Sequence, residues 1–317
     1  MGVALAYAGA VVGAGFASGQ EIYQFFSRHG TAGAVGVLAA GVGFAVLGAL
    51  ALAAGASGTT NFEALLHSLY PRSAVGILSL GGTLFLGIGL VVVTAAAGQA
   101  VQDVTGLNAH LMALASLIGI LWVARRGADG VMRASWILVP LLLVIAVAVA
   151  LLSPGRTVAA GAGGWWVSAG LYVSYNLFTG LMVLLGLGPR LAHRREAWWA
   201  AGIGAALLTA TALVLHRAVL AMDFIGAFPL LDAAHRLGGL WPLLYAAALY
   251  AALFTTGVSE AFALSERFGA KAWLALLAWP ASWMGFAVLV GGLYPVMGAL
   301  AVLFWLPLLR WAPRPRL

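Results

Sequence analysis

Ten long apolar runs follow one another along this 317-residue chain, separated by little more than a glycine, a proline or a charge. They lie at about 2–26, 31–56, 73–102, 108–124, 132–152, 165–188, 197–219, 240–264, 272–291 and 293–309. A helix needs about 20 apolar residues to cross the hydrocarbon layer of a bilayer, and these runs have that length. The spacing therefore predicts an all-α integral membrane protein with about ten transmembrane helices. A β-barrel would show short segments of alternating hydrophobicity, whereas these runs are continuously apolar. Only 8% of the residues are charged and 63% are apolar, against about 25% charged in a soluble domain, so a soluble fold would lack its polar coat. The first run has no basic start and no cleavage site, so it reads as a retained helix and not a signal peptide.

The formal net charge of +7 does not mark a nucleic-acid groove, because the basic residues sit in short clusters between apolar runs. With the N-terminus inside, twelve of the sixteen fall in inner loops and the tail: Arg72, Arg125, Arg126, Arg133, Arg190, Arg194, Arg195, Arg267, Lys271, Arg310, Arg314 and Arg316. Only Arg28, Arg156, Arg217 and Arg236 fall outside. Shifting the helix count by one scrambles this bias, so the charges support ten helices with both ends cytoplasmic. The chain has no Cys, which excludes a disulfide, a thiolate nucleophile and a thiolate metal site.

Two helices carry unusual polarity. The first contains Val12-Gly13-Ala14-Gly15-Phe16-Ala17-Ser18-Gly19-Gln20-Glu21, three glycines followed by an amide and a carboxylate. The sixth contains Tyr172-Val173-Ser174-Tyr175-Asn176-Leu177-Phe178-Thr179-Gly180. Ser174 lies 161 residues after Gly13, about half the chain. Interrupted apolar segments at corresponding places in two halves point to an inverted-repeat transporter, whose solute binds where both helices break. Gly13, Ala14, Gly15 and Ser18 would then approach the solute, and Gln20, Tyr175, Asn176 and Thr179 would orient it. Close helix packing is the alternative reading of glycines in membrane spans, and it is the preferred one for those at 33, 36, 41, 43, 48, 81, 82, 87 and 89.

On the eighth helix, Ala252, Thr255, Thr256, Ser259, Glu260 and Ala263 form one small, polar stripe at spacings of three and four. Hydroxyl oxygens suit a hard cation such as sodium, although membrane hydroxyls also bond back to their own helix. A carboxylate inside a span is a functional candidate by default. Glu260 is expected to tune cation release, carry a proton or pair with an inner Arg. Glu21 is expected to serve as an outer gate, to face a cationic group or to pair with Arg28. The stretch 219–239 reads as an outer lid of short amphipathic helices or as a plain connector.

These features resemble the LeuT fold of the amino acid–polyamine–organocation superfamily, five helices plus five in inverted repeat. Residues Ala6–Glu21 resemble more closely the small YkvI-like bacterial membrane proteins. The resemblance implies one domain over 1–317, with repeats at about 1–155 and 164–310 and with helices 1 and 6 broken. It further implies a sodium between carbonyls of the first helix, Gly9 and Val12, and the Ala252 carbonyl with the Thr255 and Thr256 hydroxyls. Phe16 stands where a second sodium site would need Asn, which argues against a second ion. No ionisable residue lies between Arg133 and Arg156, which argues against a fifth-helix Lys in the sodium position.

The expected function is secondary active transport, a sodium-coupled symport of a small amino acid or a related zwitterion or amine. A proton-coupled carrier or uniporter using Glu260 is the alternative, and a non-transporting membrane sensor with the same fold is another. The chain is not expected to be an enzyme, since it shows no Walker loop, nucleophile motif or metal-binding His pair. Its expected partners are a small solute and the lipid bilayer of a bacterial cytoplasmic (inner) membrane. No nucleic acid is expected, and no cofactor beyond sodium as the coupling ion.

Overall fold

The first apolar run does not form one helix. α1 (Gly2–Val11) stops at Gly13, whose extended backbone (φ −96°, ψ 177°) leads into the five-residue α2 (Ala14–Ser18). Gly19, in the left-handed region at φ 84°, closes α2 and opens α3 (Gln20–Phe25). That conformation suits a residue without a Cβ, so the glycines of the segment set its two corners. This is the broken first helix that the sequence predicts.

The computed structural model describes residues 2–59, 61–126, 129–154, 163–191, 193–222, 226–268 and 274–309. Within them the longer helices are α4 (Ala32–Ala56), α6 (Arg72–Thr105), α7 (Ala109–Ala124), α8 (Asp129–Leu152), α9 (Trp165–Leu187), α10 (Arg194–Leu220), α12 (Trp241–Phe268) and α14 (Phe286–Leu309). Short helices α5 (Phe62–Leu69), α11 (Pro229–Leu237) and α13 (Ala278–Ser282) lie between them. Asn61 starts α5 by accepting from the Ala64 N–H at 2.7 Å, and Asn108 starts α7 by accepting from His110 and Leu111. Such side-chain caps take up N–H groups that a helix start leaves free. Among the described residues there is helix and no strand.

Five of these helices are long and apolar enough to cross a membrane, or six when the bent α9 counts as one span. The expected ten is therefore not reached among the described residues. Two expectations change. The polar stretch of the sixth run does not break its helix: α9 runs through Tyr172–Gly180, and the 55° bend comes later, between Trp165–Leu181 and Val183–Arg190. The last two runs also do not divide at 291–293. Gly285, at φ 84°, ends the short helical piece at 274–282, and α14 continues across both Gly291 and Gly292.

The helices of the two halves pack across one another. α4 lies on α9 and α10, α1 on α10 and α9, and α12 on α6, α7 and α8. α14 lies on α9 and α6, and α13 on α6 and α7. Exchanging α1 with α9, α4 with α10, α6 with α12, α7 with α13 and α8 with α14 maps α4–α9 onto α10–α1. The same exchange maps α12–α7 onto α6–α13 and α12–α8 onto α6–α14. Small residues allow the closest approaches: a Cβ at Gly33 would strike the Phe26 carbonyl, and one at Gly55 the Leu185 carbonyl. The outer belt is apolar, with Ile77 74% and Ile137 72% exposed. A surface of that kind belongs in lipid, where no water is ordered around it.

Candidate functional site

The two corners of the first span fold its polar end back into the bundle. Ser18, Gln20 and Glu21 are all buried, Glu21 to 2% exposure. The Ser18 hydroxyl donates to the Gly15 carbonyl at 2.7 Å and accepts from the Gln20 N–H at 3.2 Å. The Glu21 carboxylate lies over Gly15, where a Cβ would overlap it. Tyr245 of α12 donates to the Ala17 carbonyl. A short helix inside a membrane leaves carbonyls in need of donors, and here side chains of the same chain supply them.

The polar face of α9 meets this turn. The Tyr175 hydroxyl donates to Glu21 Oε1 at 3.4 Å, and Asn176 hydrogen-bonds the same carboxylate. Tyr175 and Asn176 are both buried. The Tyr175 ring stacks on Tyr294 of α14 at 4.3 Å between centroids, with Phe85 of α6 on another side at 6.0 Å. Tyr172 is enclosed by Phe25, Phe26 and Phe44, and its hydroxyl has no partner. Glu21 Oε2 and Gln20 Oε1 are likewise buried without a partner. Unsatisfied polar atoms are costly away from water, so three in one region mark it as a place built for something else.

Of the predicted solute-contacting residues, Gly15, Ser18, Gln20, Tyr175 and Asn176 thus gather at the break. Gly13 and Ala14 lie on its backbone. Thr179 does not join them: it is exposed on α9, and its hydroxyl donates to the Asn176 carbonyl at 2.7 Å. Glu21 bonds α9 instead of Arg28, whose guanidinium reaches Ser168 at 3.3 Å.

The proposed ion residues are distributed more loosely. α12 packs on α2, whereas α1, which carries Gly9, packs on α8, α9 and α10. Thr255 is buried and Thr256 half-buried, and both hydroxyls donate to the Ala252 carbonyl, at 3.0 and 2.9 Å. That is the back-bonded arrangement common to hydroxyls in membrane helices. It leaves the hydroxyl lone pairs open to a cation. Val12 still donates its N–H to the Ala8 carbonyl at 2.9 Å, extending the last turn of α1.

Glu260, one turn further along α12, meets no Arg among the described residues. Its carboxylate occupies the space that a Cβ at Gly89 of α6 would fill, and Oε2 is buried without a partner. Gly89 therefore makes room for an acid, which corrects its reading as plain helix packing.

Sequence reasoning missed Tyr172, Tyr245 and Tyr294. Tyr245 and Tyr294 each stand within an apolar run, the pattern of a core aromatic, whereas Tyr172 opens the polar stretch of the sixth run. Their part in the site comes from the packing of α9, α12 and α14 on the broken span. Within the stretch 219–239, α11 packs on α2, α8, α10 and α12. Asp223 lies outside the described residues.

Across an alignment of 339 positions, 99% of this chain is 26% identical to the uncharacterized membrane protein YkvI of Bacillus subtilis (strain 168), covering 96% of that protein. The chain is thus similar to that membrane protein along nearly its whole length. No family model matches it. The match covers the broken first span, the polar face of α9 and the hydroxyl stripe of α12, so the candidate site lies within the aligned length.

Proposed function

We propose that the chain is a secondary active transporter, coupling inward sodium flow to the symport of a small amino acid or a related zwitterion or amine by alternating access. The observation that carries this reading is the first span. It is broken at Gly13 and Gly19, and its polar end is buried against Tyr175 and Asn176 instead of facing water. Interior polarity at a helix break is the usual setting of a transported solute. The exchange relation between the packing of the two halves supports an inverted repeat, which alternating access uses as its moving parts. The Thr255–Thr256 pair, beside α2 through α12, supplies hard oxygen ligands for sodium.

The test is substrate binding and uptake in proteoliposomes with sodium or potassium outside. Sodium should raise affinity, and the double variant Thr255→Ala, Thr256→Ala should erase that rise while leaving sodium-free binding nearly unchanged. A coupling of about 1–3 kcal/mol, or roughly 5–150-fold, is typical of linked sites and must be reciprocal.

A second reading, a proton-coupled carrier, has its own observation in the partnerless Glu260 beside Gly89. It takes over if affinity is equal in sodium and potassium, follows pH, and loses that dependence in Glu260→Gln.

A further inference from the structure

Among the described residues Glu21 is the most deeply buried acid, and no described cation lies beside it. Its Oε1 takes the Tyr175 hydroxyl at 3.4 Å, Asn176 adds a neutral donor, and Oε2 receives nothing. Among the described residues no Lys, Arg or His bonds it. The neighbouring polar groups carry no formal charge. Gln20 Oε1 lacks a donor, the Tyr172 hydroxyl lacks a partner, and Tyr175 and Tyr294 form a stacked pair. Gly15 leaves the carboxylate its place, since any Cβ there would overlap it. A carboxylate thus has its place at a helix break with no counter-ion among the described residues.

An ionised carboxylate inside a membrane needs a partner charge. The partner that fits is a compact organic cation. Several N–H donors would satisfy Glu21 Oε2 and neighbouring free oxygens, and a weakly hydrated cation gains from aromatic faces. Sodium fits less well beside Tyr175 and Tyr294, because it seeks a shell of hard oxygens. A bare proton would complete Oε2 alone and leave Gln20 Oε1 without a donor.

From this juxtaposition we propose that Glu21 is the anchor for a primary ammonium group of the solute, so that the site selects amines and amino acids by their cationic end. This rests on the transporter reading and narrows its substrate class. Arg28 is engaged with Ser168, so the ammonium group has no competitor from that side.

The test uses the full chain purified in detergent, followed through its twelve tryptophans as it melts in sodium or potassium buffer. The probes are alanine, lysine, ethanolamine and putrescine, each beside its N-acetylated counterpart (fully acetylated for lysine and putrescine), which keeps the shape and loses the ammonium charge. At least one amine should raise the melting midpoint while its acetylated form does not. Glu21→Gln, which copies a protonated carboxyl, should weaken that amine by about tenfold or more, the size expected for losing a charged hydrogen bond. Glu21→Asp keeps the charge and should retain part of the affinity. If Glu21→Gln does not yield a monodisperse protein, Glu21→Asp carries the test. It should weaken the amine and leave stabilisation by sodium alone unchanged.

Equal binding by an acetylated probe, or unchanged amine affinity in Glu21→Gln, overturns the proposal. If acetylated probes stabilise the protein in sodium and not in potassium, the transporter reading stands and only the role of Glu21 falls. If no probe stabilises it and sodium has no effect either, both fall together.

Discussion

Gly13 and Gly15 stand two residues apart in the same break, yet the structure gives them different duties. A Cβ at Gly13 would meet nothing within 4 Å, and its φ of −96° is open to any residue. A Cβ at Gly15 would meet the carboxylate end of Glu21, a flexible side chain that can swing away. Gly13→Ala should therefore leave both stability and solute binding almost unchanged. Gly15→Ala should cost less than about 1 kcal/mol of stability, below the usual range for overpacking, while displacing Glu21 and weakening solute binding by about tenfold. Melting curves and binding isotherms of the two variants check this, and equal binding loss in both would show that the backbone and not Glu21 is the critical part. The sequence pointed to the glycines, Ser18, Gln20, Tyr175 and Asn176 because polarity stands out in an apolar run. It could not separate Gly13 from Gly15, since what fills the space beside each comes from a chain reversal at Gly19. Thr179 stands apart from the break for the opposite reason: its polarity is spent on the Asn176 carbonyl of its own helix.

At the scale of elements, the first and sixth runs show why one polar stretch breaks a helix and another does not. Gly13 and Gly19 adopt extended and left-handed backbones, and glycine gains little from remaining helical. In α9 the polar side chains bond back along the helix, Asn176 to the Tyr172 carbonyl at 3.1 Å and Thr179 to the Asn176 carbonyl at 2.7 Å. Local satisfaction keeps the helix intact. The division expected between the runs 272–291 and 293–309 falls at a glycine that α14 carries through, whereas the turn is at Gly285. α11, outside the spans, yields a prediction of its own. Burial raises the Asp232 carboxyl above its ordinary value, with the neighbouring Asp103 adding to the rise, while the Gly226 N–H, His235 and Arg236 oppose it. A carboxyl whose folded pKa lies above its unfolded one binds more protons when folded, so stability falls as pH rises from the unfolded value through the folded one. Asp232→Asn should flatten that fall. The check is the melting midpoint of both proteins from about pH 4 to pH 7; a slope equal in the two proteins would assign the titration to another group.

For the whole molecule, the basic residues and the packing give the same polarity. Ser27, beside Arg28, meets His216, beside Arg217, at 2.8 Å, so these two arginines share one end of the bundle. Gly55 of α4 packs against Gly188, two residues before Arg190. α5 and its short connections then bring the chain from α4 to Arg72 and α6, where Arg267 donates to the Ser79 carbonyl at 3.0 Å and to the Thr83 hydroxyl at 2.7 Å. Arg72, Arg190 and Arg267 therefore lie at the opposite end, the richer in positive charge. Lys271, Arg156, Arg310, Arg314 and Arg316 fall outside the described residues. Positive loops are retained on the cytoplasmic side, which predicts that the Arg190 end is inside and the Arg28 end outside. The chain contains no Cys, so single cysteines can report on each end without a background. His193→Cys, beside the inner start of α10, should stay unlabelled by an impermeant maleimide in intact cells and react once the membrane is opened. Gly239→Cys, ahead of α12 and beside the outer lid, should react in intact cells. The reverse pattern would invert the molecule and put the Glu21 turn on the inner path. Labelling of both in intact cells would mean that the number of crossings between 193 and 239 is even, so that α10 does not span.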